Sequence, residues 1–274
     1  GAHTPAPPVA ASARALPASS LPLELVQGER LALVGNSTAE RMNLFGNFET
    51  ALHLRHPKLE IAFRNFARPA DEVALRQRAS DYTKIDDPMK VFGPETLLCF
   101  FGYNESYAGE AGLPQFRKQL EAFIDHTLGQ KYNGKSAPRL VLCSPIAFED
   151  LKWPHLPDGK VQNKNLELYT AEMGKVAAER KLPFVDLFHP TSTRVQMTNV
   201  DASPLRNLEG PSRFELLTGG ETPFSPFTIN GVHITDDGSW RVAQEIDSQL
   251  LATASSPQPE ESKFESMRTA VLAK

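Results

Sequence analysis

The 274-residue sequence has few cysteines, no long apolar run and no excess of positive charge. Two cysteines cannot form a disulfide scaffold. No stretch approaches the roughly 18 apolar residues that a membrane-spanning helix needs. The 29 basic and 33 acidic residues give a net charge of -4, whereas a general nucleic-acid binder needs a basic surface. We therefore expect neither nucleic acid nor a membrane span, and the hydrophobic share of 41% favours a packed core.

The two ends of the chain differ in composition from its middle. Residues 1–24 lack the basic start and apolar core of a signal peptide. Their high content of Ala, Pro and Ser indicates a flexible leader left after export to the periplasm or the outside, or a linker in a longer chain. Residues 25–252 form the predicted domain. Residues 253–274 are predicted to be a linker and a partial C-terminal helix, so further domains of a longer chain are candidate partners.

Both cysteines lie in apolar runs. Cys99 and Cys143 fall in segments typical of buried strands, where cysteine acts as a small hydrophobic side chain. Their spacing matches no zinc pattern. The sequence predicts no metal and no cofactor.

The middle of the chain alternates between apolar runs and amphipathic segments. The predicted strands are residues 30–34, 59–65, 96–102, 139–143 and 184–188, and the predicted helices are residues 38–56, 71–82, 113–128, 163–180 and 236–251. This alternation is typical of an α/β protein with a parallel sheet covered on both faces. We expect a three-layer α/β/α sandwich.

In such a sheet, the residues that bind ligands or catalyse reactions lie at the carboxyl ends of the strands. That rule selects the positions after Val34, after Asn65, after Phe101 and around Asp186. The segment 189–229 has no clear period, and a loop of that length is usually functional or a lid.

The first strand is followed by Gly35-Asn36-Ser37-Thr38, where a helix begins. This turn exposes a hydroxyl beside a positive helix end, which favours an oxyanion. The alternative is that Ser37 or Thr38 only caps the helix.

Two further segments carry candidate chemistry. In residues 102–105, Gly102 allows close backbone approach to a ligand and Asn104 can aim an amide donor at a developing negative charge, although Gly and Asn also favour plain turns. In residues 230–233, His233 stands just before the last predicted helix.

These three segments, in this order, resemble the SGNH (GDSL-type) hydrolase family. Residues 35–38 resemble its Gly-Asp-Ser-Leu block, with Asn36 in place of Asp. Residues 102–105 resemble Gly-x-Asn-Asp, and residues 230–233 resemble Asp-x-x-His with Asn230 in place of Asp. Residues 64–66, 108–114 and 182–187 are also similar in sequence to SGNH domains of large multidomain planctomycete proteins. The resemblance implies a parallel, flavodoxin-like sheet of five strands.

The resemblance also implies roles for individual residues. Ser37 corresponds to the nucleophile, His233 to the general base and Asn230 to the acid of the triad. Asn cannot compensate the positive charge of an imidazolium. We therefore expect one of three outcomes: Ser37 and His233 catalyse slowly as a dyad, another carboxylate takes the place of Asn230, or the site binds a ligand without catalysis. The candidate carboxylates are Asp236, Asp237, Asp186 and Glu105.

The implied oxyanion hole consists of the Ser37 N–H, the Asn104 side chain and the N–H of Ala70, which stands where the family has Gly. The candidate substrate-binding residues are Gly102, Tyr103 and Glu105.

Two functions follow from the resemblance. The first is a serine esterase that cleaves small acyl groups, above all acetyl groups on carbohydrates. The alternative is a catalytically degenerate module that binds glycans or docks neighbouring domains, which the substitutions at Asn36, Ala70 and Asn230 favour. A nucleotide binder of the same architecture is the weaker third reading, because residues 35–38 lack a Gly-rich phosphate loop.

Overall fold

The computed structural model describes residues 15–69, 71–74, 86–197, 226–251 and 261–274. Strands and helices alternate along this part of the chain. The strands are β1 (Arg30–Gly35), β2 (Ala62–Asn65), β3 (Thr96–Phe100), β4 (Arg139–Cys143) and β5 (Phe184–Val185). The helices are α1 (Ser37–Phe45), α2 (Asn47–Arg55), α3 (Asp86–Phe92), α4 (Leu113–Gln130), α5 (Lys160–Glu179), α6 (Phe188–Met197), α7 (Asp236–Ile246) and α8 (Glu261–Leu272).

The five strands form one parallel sheet in the order β2-β1-β3-β4-β5. This is the flavodoxin-like order, and the carboxyl ends of all five strands therefore meet at one edge. The expected α/β fold with a parallel five-stranded sheet is confirmed.

Successive residues of the central strands pack into two different cores, because side chains alternate across a sheet. On one face, Leu31, Leu33 and Phe100 pack in a cluster that includes α1, α2 and α7. On the other face, Ala32 and Leu97 pack in a cluster that includes α3, α4 and α5. Helices thus cover both faces. The two cysteines are free and buried, one in each core, as expected.

Two of the predicted helices need correction. Residues 38–56 form α1 and α2 and not one helix, because Gly46 takes a left-handed conformation (φ 65°) that ends α1. Residues 71–74, the described start of the predicted helix 71–82, are not helical, and the rest of it lies outside the described residues. Helix α3 was not predicted.

The expectation of an irregular segment at 189–229 is wrong at its start. Residues up to Met197 belong to α6, whose first backbone N–H groups are bound by the side chain of Asp186. The part from 198 to 225 lies outside the described residues.

The C-terminal segment contains a helix, as its periodicity predicts, and α8 packs on the domain. Phe264 is buried and stacks edge-on against Trp240, with ring centroids 4.7 Å apart. Arg268 forms an ion pair with Asp236 at 2.9 Å and donates to the carbonyl of Phe45.

Near the start of the described chain, Leu23 is buried and its N–H donates to Leu250 O. Within the described ranges, no helix is long and apolar enough to cross a membrane.

Candidate active site

Ser37 is the first residue of α1, directly after β1. Gly35 turns the chain there with φ 126°, and a Cβ at this position would stand 2.0 Å from Phe100 O, so only glycine fits. Asn36 is the N-cap, and its side chain accepts from Thr38 N at 3.2 Å. The reading of Ser37 or Thr38 as the cap is therefore wrong. The half-buried Ser37 stands at the positive end of the helix dipole.

The loop after β2 lies against the same turn. Asn65 donates to Ala39 O at 2.7 Å and accepts from Ala67 N at 3.0 Å, which fixes the loop to α1. Arg68 N donates to Gly35 O at 3.0 Å. Ala70, the expected third oxyanion donor, lies outside the described residues.

Asn104 follows β3 and reaches towards the loop after β2. Its Nδ2 donates to Asp71 O at 3.4 Å. The residue after it, Glu105, is buried, and its two carboxylate oxygens accept from Gly102 N and Val73 N at 3.0 Å each. Burial raises the pKa of Glu105. Glu105 therefore ties the β3 turn to the loop after β2, and its carboxylate faces the protein backbone.

Gly102 and Tyr103 complete this turn. Gly102 has φ 106°, and a Cβ there would contact Met173 and Pro145. Tyr103 is half-buried, and its hydroxyl lies 2.9 Å from that of Tyr107. Burial, reinforced by this hydrogen bond, raises the pKa of Tyr103. Its ring packs on the apolar cluster of Ala147, Phe148, Leu166 and Phe188, which Val232 also contacts.

His233 lies in a compact loop before α7. Thr228 and Ile234 form an antiparallel bridge, and Ile229 N donates to His233 O at 2.9 Å. Arg41, one turn after Ser37 on α1, donates from Nε to Ile234 O at 2.9 Å. The structure thus brings the loop of His233 onto the first turns of α1. Ser37 and Asn104 follow β1 and β3 at the carboxyl edge of the sheet, and the loop of His233 contacts α1 and the segment after β4.

Asn230 contacts the imidazole of His233 through its amide nitrogen. Asn230 Oδ1 accepts from Val232 N at 3.1 Å and from His233 N at 2.8 Å, and Nδ2 lies 2.7 Å from His233 Nδ1. The two backbone donors fix which end of the amide faces the ring. Because Nδ2 is a donor, Nδ1 must be the acceptor, and a neutral ring carries its proton on Nε2. In the serine-protease triad, by contrast, the Asp accepts from Nδ1–H and leaves Nε2 free to act as the base.

The surroundings of His233 favour the neutral ring. Burial, with the positive charge of Arg41 as the second cause, lowers the pKa of His233, while Glu40 opposes the shift. Both charged residues belong to the first turns of α1, beside Ser37.

Three of the candidate carboxylates are engaged elsewhere. Asp236 accepts from Asn47 and pairs with Arg268. Asp186 binds the start of α6 and His189 Nδ1, and Glu105 binds backbone as described above. The contact that the structure describes at His233 Nδ1 is Asn230, and the use of Asp237 stays a prediction.

A cavity of about 210 Å³ opens beside Asn104. Its polar lining groups are amides, carboxylates and a hydroxyl, contributed by Glu72, Asn104, Glu105, Gln115, Gln119 and Tyr169. Among the residues that the structure describes, no lysine or arginine lines it. In the described part of the chain, no group of three or more His, Cys, Asp or Glu side chains is arranged to hold a metal ion.

Solved structures share this fold at low sequence identity. An acetyl-xylooligosaccharide esterase from Geobacillus stearothermophilus is 14% identical with a TM-score of 0.55, covering 85% of this chain and 98% of that one. An acetyl xylan esterase is 16% identical with a TM-score of 0.52, covering 80% and 98%. A gut microbial diltiazem-metabolizing enzyme is 16% identical with a TM-score of 0.55 over 81% of this chain, which spans about half of its length (47%).

Catalytic mutants of the Geobacillus esterase replace a serine, an aspartate and a histidine three positions after that aspartate. No protein-family model matches the sequence, and no curated protein matches it. The structural similarity and the parallel sheet show the SGNH hydrolase fold.

Proposed function

We propose that this chain is an SGNH-type serine esterase that hydrolyses small acyl esters, with Ser37 as nucleophile and His233 as general base. The observation that carries the proposal is the packing of the His233 loop on the first turns of α1, through Arg41 and Ile234. The helix that begins with Ser37 also contains Arg41 and Glu40, the two charged residues that shift the pKa of His233.

In the proposed reaction, Ser37 Oγ attacks the acyl carbon and its proton passes to His233 Nε2. The carbonyl oxygen becomes an oxyanion, which the backbone N–H of Ser37, the side-chain amide of Asn104 and the N–H of Ala70 would stabilise. Collapse of the intermediate breaks the ester C–O bond, and His233 returns the proton to the leaving alcohol. Water then hydrolyses the acyl-enzyme by the same route.

The hydrogen bond from Asn230 makes the first step slow in this proposal. Nε2 accepts the serine proton only when the ring proton is on Nδ1. That tautomer requires Asn230 to turn its oxygen to the ring, which places its NH₂ group against the N–H groups of Val232 and His233. Two donors facing each other cost free energy. Neutral Asn also leaves the imidazolium uncompensated.

Acetylated carbohydrates are the proposed substrates. The esterases of xylan and xylo-oligosaccharides named above share the fold. The described lining of the cavity beside Asn104 presents amide, carboxylate and hydroxyl groups, which can form hydrogen bonds to the hydroxyls of a sugar. Tyr103 and Tyr107 offer aromatic surface on the same turn. The exported location, and contact of Gly102 and Glu105 with substrate, remain predictions.

The test is hydrolysis of p-nitrophenyl acetate and of acetylated xylo-oligosaccharides by the wild type, Ser37→Ala and His233→Ala. The proposal expects slow turnover in the wild type and none above background in either variant. Asn43→Ala, at an exposed position of α1, is the matched control and should retain the wild-type rate. Turnover that persists in Ser37→Ala would reject Ser37 as nucleophile. A folded wild type without turnover that binds the deacetylated oligosaccharide would support the binding module.

A further inference from the structure

Glu149 is a buried carboxylate in the segment after β4, and it faces the loop that carries His233. It is only 2% exposed. Its Oε2 accepts from Phe227 N at 2.9 Å, and its Oε1 accepts from Thr228 N at 2.9 Å and from Thr228 Oγ1 at 2.7 Å. Two backbone donors and a hydroxyl thus converge on one side chain.

The same contacts extend to the residues around Asn230. The Thr228 hydroxyl, held by Glu149, accepts from Gly231 N at 2.8 Å. Glu149 N itself donates to Gly231 O at 2.9 Å. Gly231 has φ 92°, and a Cβ there would stand 2.5 Å from the ring of Phe148. Residues 148–149 therefore fix the backbone on both sides of Asn230.

The link from Glu149 to His233 is short. Thr228, which Glu149 binds, is bridged to Ile234, and the next residue, Ile229, donates to His233 O. The position of the imidazole against Ser37 depends on this backbone. A misplacement of about 1 Å at a catalytic group can lower a rate about 10²-fold.

We infer that Glu149 is a positioning residue, whose carboxylate holds the Phe227–His233 loop in the geometry that aims His233 at Ser37. This inference rests on the proposed function. Three donors point at the carboxylate, and all three are satisfied only while it is an acceptor at both oxygens. Burial raises the pKa of Glu149, while its hydrogen bonds from Thr228 and Phe227 and the positive charge of Arg241 oppose that shift.

The test is Glu149→Gln, which keeps the shape but turns one oxygen into an NH₂ group. That group then faces the N–H of Phe227 or the donors of Thr228. We expect kcat for p-nitrophenyl acetate to fall about 10²-fold, with KM within threefold. Thr228→Val, which removes the hydroxyl between Glu149 and Gly231, should lower kcat in the same direction even if Glu149→Gln does not fold.

The chain offers a matched control in Glu29. This carboxylate is also buried and accepts from a backbone N–H, Val26 N, and from a threonine hydroxyl, Thr96 Oγ1. It lies before β1 at the opposite edge of the sheet, and it additionally pairs with Arg139, so its replacement is the more severe test of stability. Glu29→Gln should destabilise the protein without changing kcat per folded molecule. The folded fraction of every variant is measured by circular dichroism in the assay buffer.

An NMR measurement separates this inference from the proposed function. The ring signals and the pKa of His233 should change in Glu149→Gln and in Thr228→Val, and should stay as in the wild type in Glu29→Gln, whether or not esters are hydrolysed. A folded Glu149→Gln with wild-type kcat and unchanged His233 signals would overturn the inference. If the wild type shows no turnover but the variants show the NMR changes, only the proposed esterase function is rejected and the positioning role of Glu149 stands.

Discussion

Asn230 donates a hydrogen bond to the ring of His233, with 2.7 Å between Nδ2 and Nδ1. A carboxylate at that position would accept the bond from Nδ1–H. The difference determines which ring nitrogen carries the proton, and so whether Nε2 is a donor or an acceptor. Asn230, where the SGNH pattern has Asp, therefore favours the His233 tautomer that carries its proton on Nε2. Replacement of this one residue by Asp should reverse that preference.

Replacement of Asn230 by Asp should raise esterase activity. One carboxylate oxygen still accepts from Val232 N and His233 N, and the other can accept from His233 Nδ1–H. In serine proteases the opposite change, Asp to Asn, lowers kcat about 10⁴-fold. We expect Asn230→Asp to increase kcat for p-nitrophenyl acetate by at least about tenfold and by no more than about 10⁴-fold. Asn230→Ala is the control and should not increase it. Equal rates in Asn230→Asp and wild type would mean that the tautomer is not rate-limiting.

The pH dependence should report the lowered pKa of His233. Only the neutral ring can act as base, so activity is lost as the pH falls through the folded-state pKa. Burial lowers that pKa from the ordinary 6.5, and the acid limb of kcat/KM should therefore have its midpoint below pH 6.5. In Asn230→Asp the new negative charge should move the midpoint to higher pH. A midpoint above 6.5 in the wild type would contradict the assignment.

Removal of the Asn104 amide should impair the chemical step. Loss of one oxyanion-hole donor typically lowers kcat about 10²- to 10³-fold. Asn104→Ala should show such a fall with little change in KM, because the bond strengthens only as charge develops. Steady-state kinetics on p-nitrophenyl acetate measure both parameters. A rise in KM with kcat unchanged would assign Asn104 to ground-state binding.

The C-terminal helix should contribute to stability. Phe264 is buried against Trp240, and truncation of a buried Phe costs about 3–5 kcal/mol. We expect Phe264→Ala to lower the free energy of unfolding by about 3 kcal/mol, measured by urea titration. Leu272→Ala, on the same helix but 48% exposed, should change it by less than about 0.5 kcal/mol. Equal effects of the two variants would contradict docking of α8.

The sheet could be predicted from the sequence because buried parallel strands are continuous apolar runs, as in residues 96–101. The break at Gly46 could not, because the apolar spacing of Met42, Phe45 and Phe48 continues across it. Helix α3 has only seven residues, too few for a clear period.

The roles of Ser37, Asn104 and His233 stay predictions, and the hydrogen bonds around them could not be predicted from the sequence. The strand-end rule and the family resemblance point to Ser37, Asn104 and His233. The direction of the bond from Asn230 depends on where the N–H groups of Val232 and His233 point, which only the folded turn determines. Glu149 is not among the residues that the sequence predicts, because the selected strand ends do not include that of β4 and nothing in the sequence marks this glutamate as buried.

The most direct test of the central claim is covalent labelling of Ser37. The folded wild type is incubated with a fluorophosphonate, and the adduct is located by mass spectrometry of its peptides. We predict one phosphonyl group on the peptide that contains Ser37, formed more slowly in His233→Ala, formed faster in Asn230→Asp, and absent in Ser37→Ala. An unlabelled Ser37 in both the wild type and Asn230→Asp would contradict a serine hydrolase at this site.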